Sequence, residues 1–107
     1  MPDKILVVDD EQIIRESISY ILRKEGYTVG EADNGRAAYE KLKVESYDLV
    51  ITDLEMPEMK GIELLDRIVQ LNPETSVIII TAYGSLETAI AALRTGANDY
   101  ILKPIEF

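Results

Sequence analysis

Four short apolar runs in this sequence end on residues able to do chemistry. Ile5-Leu6-Val7-Val8 runs into Asp9-Asp10, and Leu49-Val50-Ile51-Thr52 runs into Asp53. Val77-Ile78-Ile79-Ile80 ends on Thr81, and Asp99-Tyr100-Ile101-Leu102 ends on Lys103-Pro104. Three carboxylates brought close together repel and desolvate one another, and a hard, oxygen-seeking dication relieves that. Mg²⁺ suits such a set because it keeps several waters and can accept a phosphoryl oxygen. The Lys103 ammonium is placed to reach Asp53 or a phosphate on it, and Thr81 offers a hydroxyl and a backbone N–H. Each residue also has a plainer reading. Asp10 can cap the helix that follows, Thr81 can be an ordinary β-branched strand residue, and Lys103 can be a surface charge. Those readings do not account for all of them falling at strand ends.

The elements that must position these residues follow from periodicity. Strand-like runs begin near residues 5, 27, 48, 77 and 99, and helical patterns lie between them. The first helix carries Ile14, Ile18, Ile21 and Leu22 on one face and stops at Gly26 after Arg23-Lys24. Residues 27–32 form a weaker run containing Gly30, expected at a sheet edge. Asn34-Gly35 opens a second helix to about Glu45. Gly61, Leu64, Leu65 and Ile68 mark a third helix, which Asn72-Pro73 ends. A fourth runs from about Ser85 to Arg94 and closes at Gly96. The run over residues 77–81 is expected to be the most buried strand. Alternating strands and helices with continuous apolar strands predict a parallel sheet covered on both faces. Periodicity does not fix the strand order, but 2-1-3-4-5, one common solution for such sheets, would gather Asp9, Asp10 and Asp53 at the point where the order reverses, on the edge where ligands bind.

Composition narrows the function further. The chain has 107 residues, the size of one domain, and a net charge of −9. That charge opposes direct binding to nucleic acid or to an anionic membrane. Cysteine and histidine are absent, which excludes disulfides, thiol nucleophiles, Cys/His zinc sites and serine–histidine hydrolysis. No apolar run approaches the roughly 20 residues of a membrane span. The opening Met1-Pro2-Asp3-Lys4 lacks the apolar core of a signal peptide, and a cytoplasmic location is expected.

The joint pattern closely resembles the receiver domain of two-component response regulators. The matching residues are Asp9-Asp10, Asp53, Met56-Pro57, Gly61, Thr81-Ala82 and Lys103-Pro104. Ala82-Tyr83-Gly84 and Gly96-Ala97-Asn98-Asp99-Tyr100 look most like receivers attached to sigma-54-type ATPase activators. The resemblance implies a flavodoxin-like (βα)5 three-layer α/β sandwich. It implies that a histidine kinase phosphohistidine donates a phosphoryl group to Asp53 in a Mg²⁺-dependent reaction, with Mn²⁺ able to substitute. Asp9, Asp10, Asp53 and the backbone carbonyl of Glu55 would hold the metal. Lys103 would neutralise phosphoryl charge, Thr81 would turn inward to the phosphoryl group, and Tyr100 would change rotamer with it. Glu55, Ala82 and Tyr83 would modulate phosphoryl lifetime. The domain would be both phosphoacceptor and slow catalyst of its own dephosphorylation, and its fourth-helix and fifth-strand surface would control a transcriptional output domain.

Two other classes compete. A Mg²⁺-dependent phosphohydrolase also uses an aspartate nucleophile on an α/β sheet, but its second aspartate would fall at Glu55. A flavin binder would need a Ser/Thr/Gly phosphate loop after the first strand, where Asp9-Asp10 stands. One departure from the resembled family is expected to matter. A receiver continues into a fifth helix, whereas this sequence stops at Ile105-Glu106-Phe107. A fifth helix that is missing or truncated would leave apolar sheet surface open near the fourth and fifth strands, and would favour a homo-oligomer through a non-standard contact.

Overall fold

The computed structural model describes residues 3–82 and 84–104. Five strands alternate with four helices: β1 (Lys4–Val8), α1 (Gln12–Lys24), β2 (Thr28–Ala32), α2 (Gly35–Val44), β3 (Leu49–Thr52), α3 (Gly61–Leu71), β4 (Ser76–Thr81), α4 (Leu86–Thr95) and β5 (Asp99–Leu102). All pairings are parallel, and the order is β2-β1-β3-β4-β5. The weak run over residues 27–32 therefore does form an edge strand, beginning at Thr28.

Strand alternation divides the core into two layers. Leu6, Val8, Val50, Val77 and Ile79 pack with Ala38 of α2, Leu64, Leu65 and Ile68 of α3, and Ala92 of α4. Ile5, Val7, Ile51 and Ile80 face the other way and pack with Ile18 of α1. The most buried strand is β1 and not β4, because Ile78 of β4 is only half-buried on the α1 side. Residues 105–107, where the fifth helix was expected to begin or fail, lie outside the described residues. Among the described residues there are four helices.

Local chemistry sets the helix ends. Asn34 caps α2 by accepting from the Ala37 N–H at 2.7 Å. Ser85 and Thr88 form a reciprocal capping box on α4. Gly26, at φ +98°, follows α1 in the left-handed region. Asp10, in contrast, does not cap α1. The N-cap is Glu11, without a side-chain bond, and Asp9 instead accepts from the Glu11 N–H at 2.9 Å.

Candidate functional site

Register brings the chemical residues together. Val8 lies opposite Thr52, and the Asp53 N–H donates to the Val8 carbonyl at 3.1 Å. Asp9 and Asp53 thus leave adjacent strands at the same level. Thr81 lies opposite Leu102, and the Lys103 N–H donates to the Thr81 carbonyl at 2.9 Å. Lys103 then reaches across the sheet edge, its Nζ standing 2.8 Å from Asp9 Oδ2 and 2.9 Å from Asp53 Oδ2. Asp9, Asp53 and Thr81 are all buried, while Asp10 is exposed. One carboxylate oxygen from each of Asp9, Asp10 and Asp53 lies within 4.8 Å of the others.

Hydrogen bonds orient the central carboxylate. Asp53 Oδ1 accepts from the Leu54 N–H at 2.6 Å and the Glu55 N–H at 3.3 Å. Burial pushes the Asp9 carboxyl above the ordinary aspartate range, against the Lys103 bond and the Glu11 N–H, and the charge on Asp53 adds to the rise. Burial acts against the Lys103 ammonium too, but its hydrogen bonds to Asp9 and Asp53 outweigh it and hold its pKa above the usual lysine value. The donor set is all oxygen and carries one more carboxylate than a single lysine can pair with well. It fits a hard divalent cation. Outside it lies an open cleft of about 560 Å³ lined by Asp10, Glu11, Asp53 and Glu55.

The family described as response regulator receiver domain matches residues 5–107. The chain is a response regulator receiver domain. It is 48% identical over 103 residues to the transcriptional regulatory protein ZraR of Escherichia coli K12, covering 96% of this chain and 23% of that protein. The receiver thus spans about a quarter of that regulator's length. It is 40% identical over 107 residues to the chemotaxis protein CheY of Thermotoga maritima, covering 99% of this chain and 89% of that one. Among solved structures, a CheY-like receiver domain from Methanospirillum hungatei superposes with a TM-score of 0.96 at 37% identity, covering 99% of this chain and 85% of that chain.

The residues at the margin of the receiver's site are arranged less simply than their sequence positions suggest. Glu55 is exposed, and its carboxylate is turned to Lys60 at 3.2 Å. Ala82 is exposed, and Tyr83 lies outside the described residues. Tyr100 is half-buried on β5 and its hydroxyl lies 2.8 Å from Thr88 Oγ1, in the first turn of α4. A Cβ on Gly84 would run into Leu102 and come within 2.8 Å of the Tyr100 hydroxyl. The loop before α4 therefore lies directly against the tyrosine.

Three contributors were not singled out from the sequence. Glu11 lines the cleft and places a further carboxylate 3.4 Å from Lys103 Nζ; its place directly after the acidic pair was the available signal. Thr88 holds Tyr100, a contact between α4 and β5 that residue types alone do not signal. Arg15 donates to the Asp9 carbonyl, a contact between a helix side chain and a loop carbonyl that no spacing announces.

Proposed function

We propose that this receiver is a phosphoaspartate switch in which Asp53 takes a phosphoryl group from the phosphohistidine of a sensor histidine kinase. The observation that carries the reading is a buried carboxylate held between Lys103 and an acidic pair at the mouth of an open cleft. The ionised Asp53 carboxylate attacks phosphorus in line. The P–N bond breaks, the imidazole leaves with the electron pair and takes up a proton, and an acyl phosphate forms. Lys103 offsets negative charge on the phosphoryl oxygens. Asp9, Asp10, Asp53 and the Glu55 carbonyl would hold Mg²⁺, or Mn²⁺ in its place, which when bound supplies the positive charge that lets phosphoryl oxygens approach the carboxylates. Water later hydrolyses the acyl phosphate, with Glu55, Ala82 and Tyr83 modulating its lifetime.

The output is proposed to be transcriptional, supported by similarity to ZraR over the receiver. The strings Ala82-Tyr83-Gly84 and Gly96–Tyr100 favour a sigma-54-type ATPase joined to a DNA-binding domain, in a cytoplasmic regulator. Among the described residues no helix is long and apolar enough to cross a membrane. Incubation with a small phosphodonor and Mg²⁺ should add a single phosphoryl group, seen by intact-protein mass spectrometry. Absence of any adduct, from the small donor and from a kinase alike, would overturn the reading.

Mg²⁺ should also stabilise the fold, because it binds the folded acidic cluster and not the unfolded chain. At about 100 times its dissociation constant the gain is about 2.7 kcal/mol, or about 10 °C in melting temperature for a domain of this size. Asp10→Asn should remove most of that shift. Scanning calorimetry showing the same Mg²⁺ response in wild type and variant would exclude Asp10 from the cation site.

Signalling requires the phosphorylated and unphosphorylated states to differ at a surface, and the phosphoryl group must favour one of them. Thr81 and Tyr100 are proposed to carry that preference from Asp53 to α4 and β5. The Tyr100–Thr88 contact would hold the unphosphorylated state, and Tyr100→Phe removes it at a cost of about 1 kcal/mol. NMR of the unphosphorylated variant should show shifts spreading through residues 84–95. Shifts confined to β5 would refute the coupling between Tyr100 and α4.

A further inference from the structure

The peptide joining Asp9 to Asp10 is gripped from outside the acidic cluster. Arg15, in the second turn of α1, donates from Nη1 to the Asp9 carbonyl oxygen at 2.9 Å. Its Nε donates to Glu31 Oε1 at 3.2 Å, and its side chain is only 16% exposed. Glu31 belongs to β2, and its other oxygen accepts from Arg23 Nη1 at 3.2 Å. Arg23 Nη2 in turn donates to the Val29 carbonyl at 3.0 Å. The edge strand thus reaches, through one glutamate and one arginine, to the turn between β1 and α1.

The turn is tied at Asp9, whose N–H donates to the Ala32 carbonyl at 3.2 Å and whose Oδ1 accepts from the Glu11 N–H at 2.9 Å; Arg15 adds the bond to the carbonyl between them. The N-terminus of α1 has no side-chain cap. Asp10 is exposed, and no side-chain hydrogen bond to a described residue fixes its carboxylate. Its direction therefore follows that of the Asp9–Asp10 peptide, which Arg15 holds from one side and the Asp9–Glu11 hydrogen bond from the other. Both arginine bonds are charge-assisted and partly shielded from water, which strengthens them and makes the fork directional.

We propose that Arg15 is a positioning residue of the acidic site: braced by Glu31, it holds the Asp9–Asp10 peptide so that both carboxylates face Asp53 and a divalent cation binds without rearrangement of the turn. This rests on reading the cluster as a cation site.

Charge alone predicts the opposite sign. A guanidinium this close repels a dication, so its removal would tighten binding if repulsion were its only effect. Loss of positioning weakens binding, and partners that orient metal ligands are worth about 10–100-fold in affinity.

The test is a calorimetric titration of Mg²⁺ into the chain and into Arg15→Met, Arg15→Lys and Glu31→Ala, with thermal unfolding in the absence of Mg²⁺ as the check on folding. Arg15→Met should weaken Mg²⁺ by about 10-fold. Arg15→Lys, which keeps the charge but not the two-sided fork, should fall between it and wild type. Glu31→Ala, which leaves Arg15 unbraced, should show a smaller loss in the same direction. Unchanged or tighter binding by a folded Arg15→Met would overturn the proposal. Should that variant not fold, Glu31→Ala decides, and unchanged affinity there overturns it. A wild-type chain that binds no Mg²⁺ would instead remove the cation site itself, and the brace with it.

Discussion

Replacing Asp53 with asparagine is expected to reduce phosphoryl labelling to background while leaving the domain folded. The amide has nearly the shape of the carboxylate and keeps an oxygen to accept from the Leu54 N–H, which now donates to Asp53 Oδ1 at 2.6 Å. What it loses is the carboxylate proposed above as the nucleophile, and an amide cannot attack phosphorus in its place. Lys103 would keep Asp9 as a partner at 2.8 Å, so the ammonium remains paired. Asp10 and Glu11 also line the cleft, and they provide an internal control: labelling of either in place of Asp53 would mean that proximity to the cleft suffices. Intact-mass analysis after treatment with a small phosphodonor and Mg²⁺ measures the outcome. Equal incorporation in wild type and Asp53→Asn would defeat the assignment of Asp53.

The second large effect is expected at Gly61, a residue that does no chemistry. It begins α3 and closes the loop that follows Asp53, donating its N–H to the Leu54 carbonyl at 2.8 Å. A Cβ there would collide with the Asp53 carbonyl oxygen and come within 2.8 Å of Leu54 Cα. Both obstacles are backbone, so no rotamer change relieves them, and the loop carrying Asp53, Leu54 and Glu55 must move. Forced overpacking of this kind costs about 3 kcal/mol at the upper end of its usual range. Gly61→Ala should therefore lower stability by about that amount and slow phosphorylation of Asp53 as well. Gly26→Ala is the matched control. Gly26 has φ +98° but open space around it, so alanine there costs about 1 kcal/mol of backbone strain and should leave phosphorylation unaltered. Urea denaturation and phosphorylation rates measured on both variants separate the two effects. A Gly61→Ala chain with wild-type stability and rate would show that α3 does not constrain the phosphorylation loop.

Much of this molecule is legible from local patterns. The apolar runs ending in Asp9-Asp10, Asp53 and Thr81 announce buried parallel strands with polar C-terminal ends, since a continuous Val/Ile/Leu run needs cover on both faces, whereas β5, which leads to Lys103, is largely exposed among the described residues. The spacing of Leu64, Leu65 and Ile68 announces which face of α3 is buried, and Asn34, Ser85 and Gly26 announce helix ends through short-range bonding and backbone freedom. Such signals survive in sequence because each arises between residues a few positions apart.

Contacts between distant segments are a different matter. Asp10 is free of any capping role because the turn gives that backbone donor to Asp9, a choice between adjacent carboxylates that their identical side chains cannot express. Glu55 turns to Lys60, and Tyr100 meets Thr88 across the gap between β5 and α4. Arg15 finds Glu31 only because β2 lies beside β1 in parallel register, with Val7 opposite Glu31. Residue types and their order were enough to determine which groups stand at the ends of the strands and what chemistry they have in common. Tertiary structure alone decided which of them touch, because bonds formed at about 3 Å depend on strand register and helix packing, and those are settled collectively by the whole core.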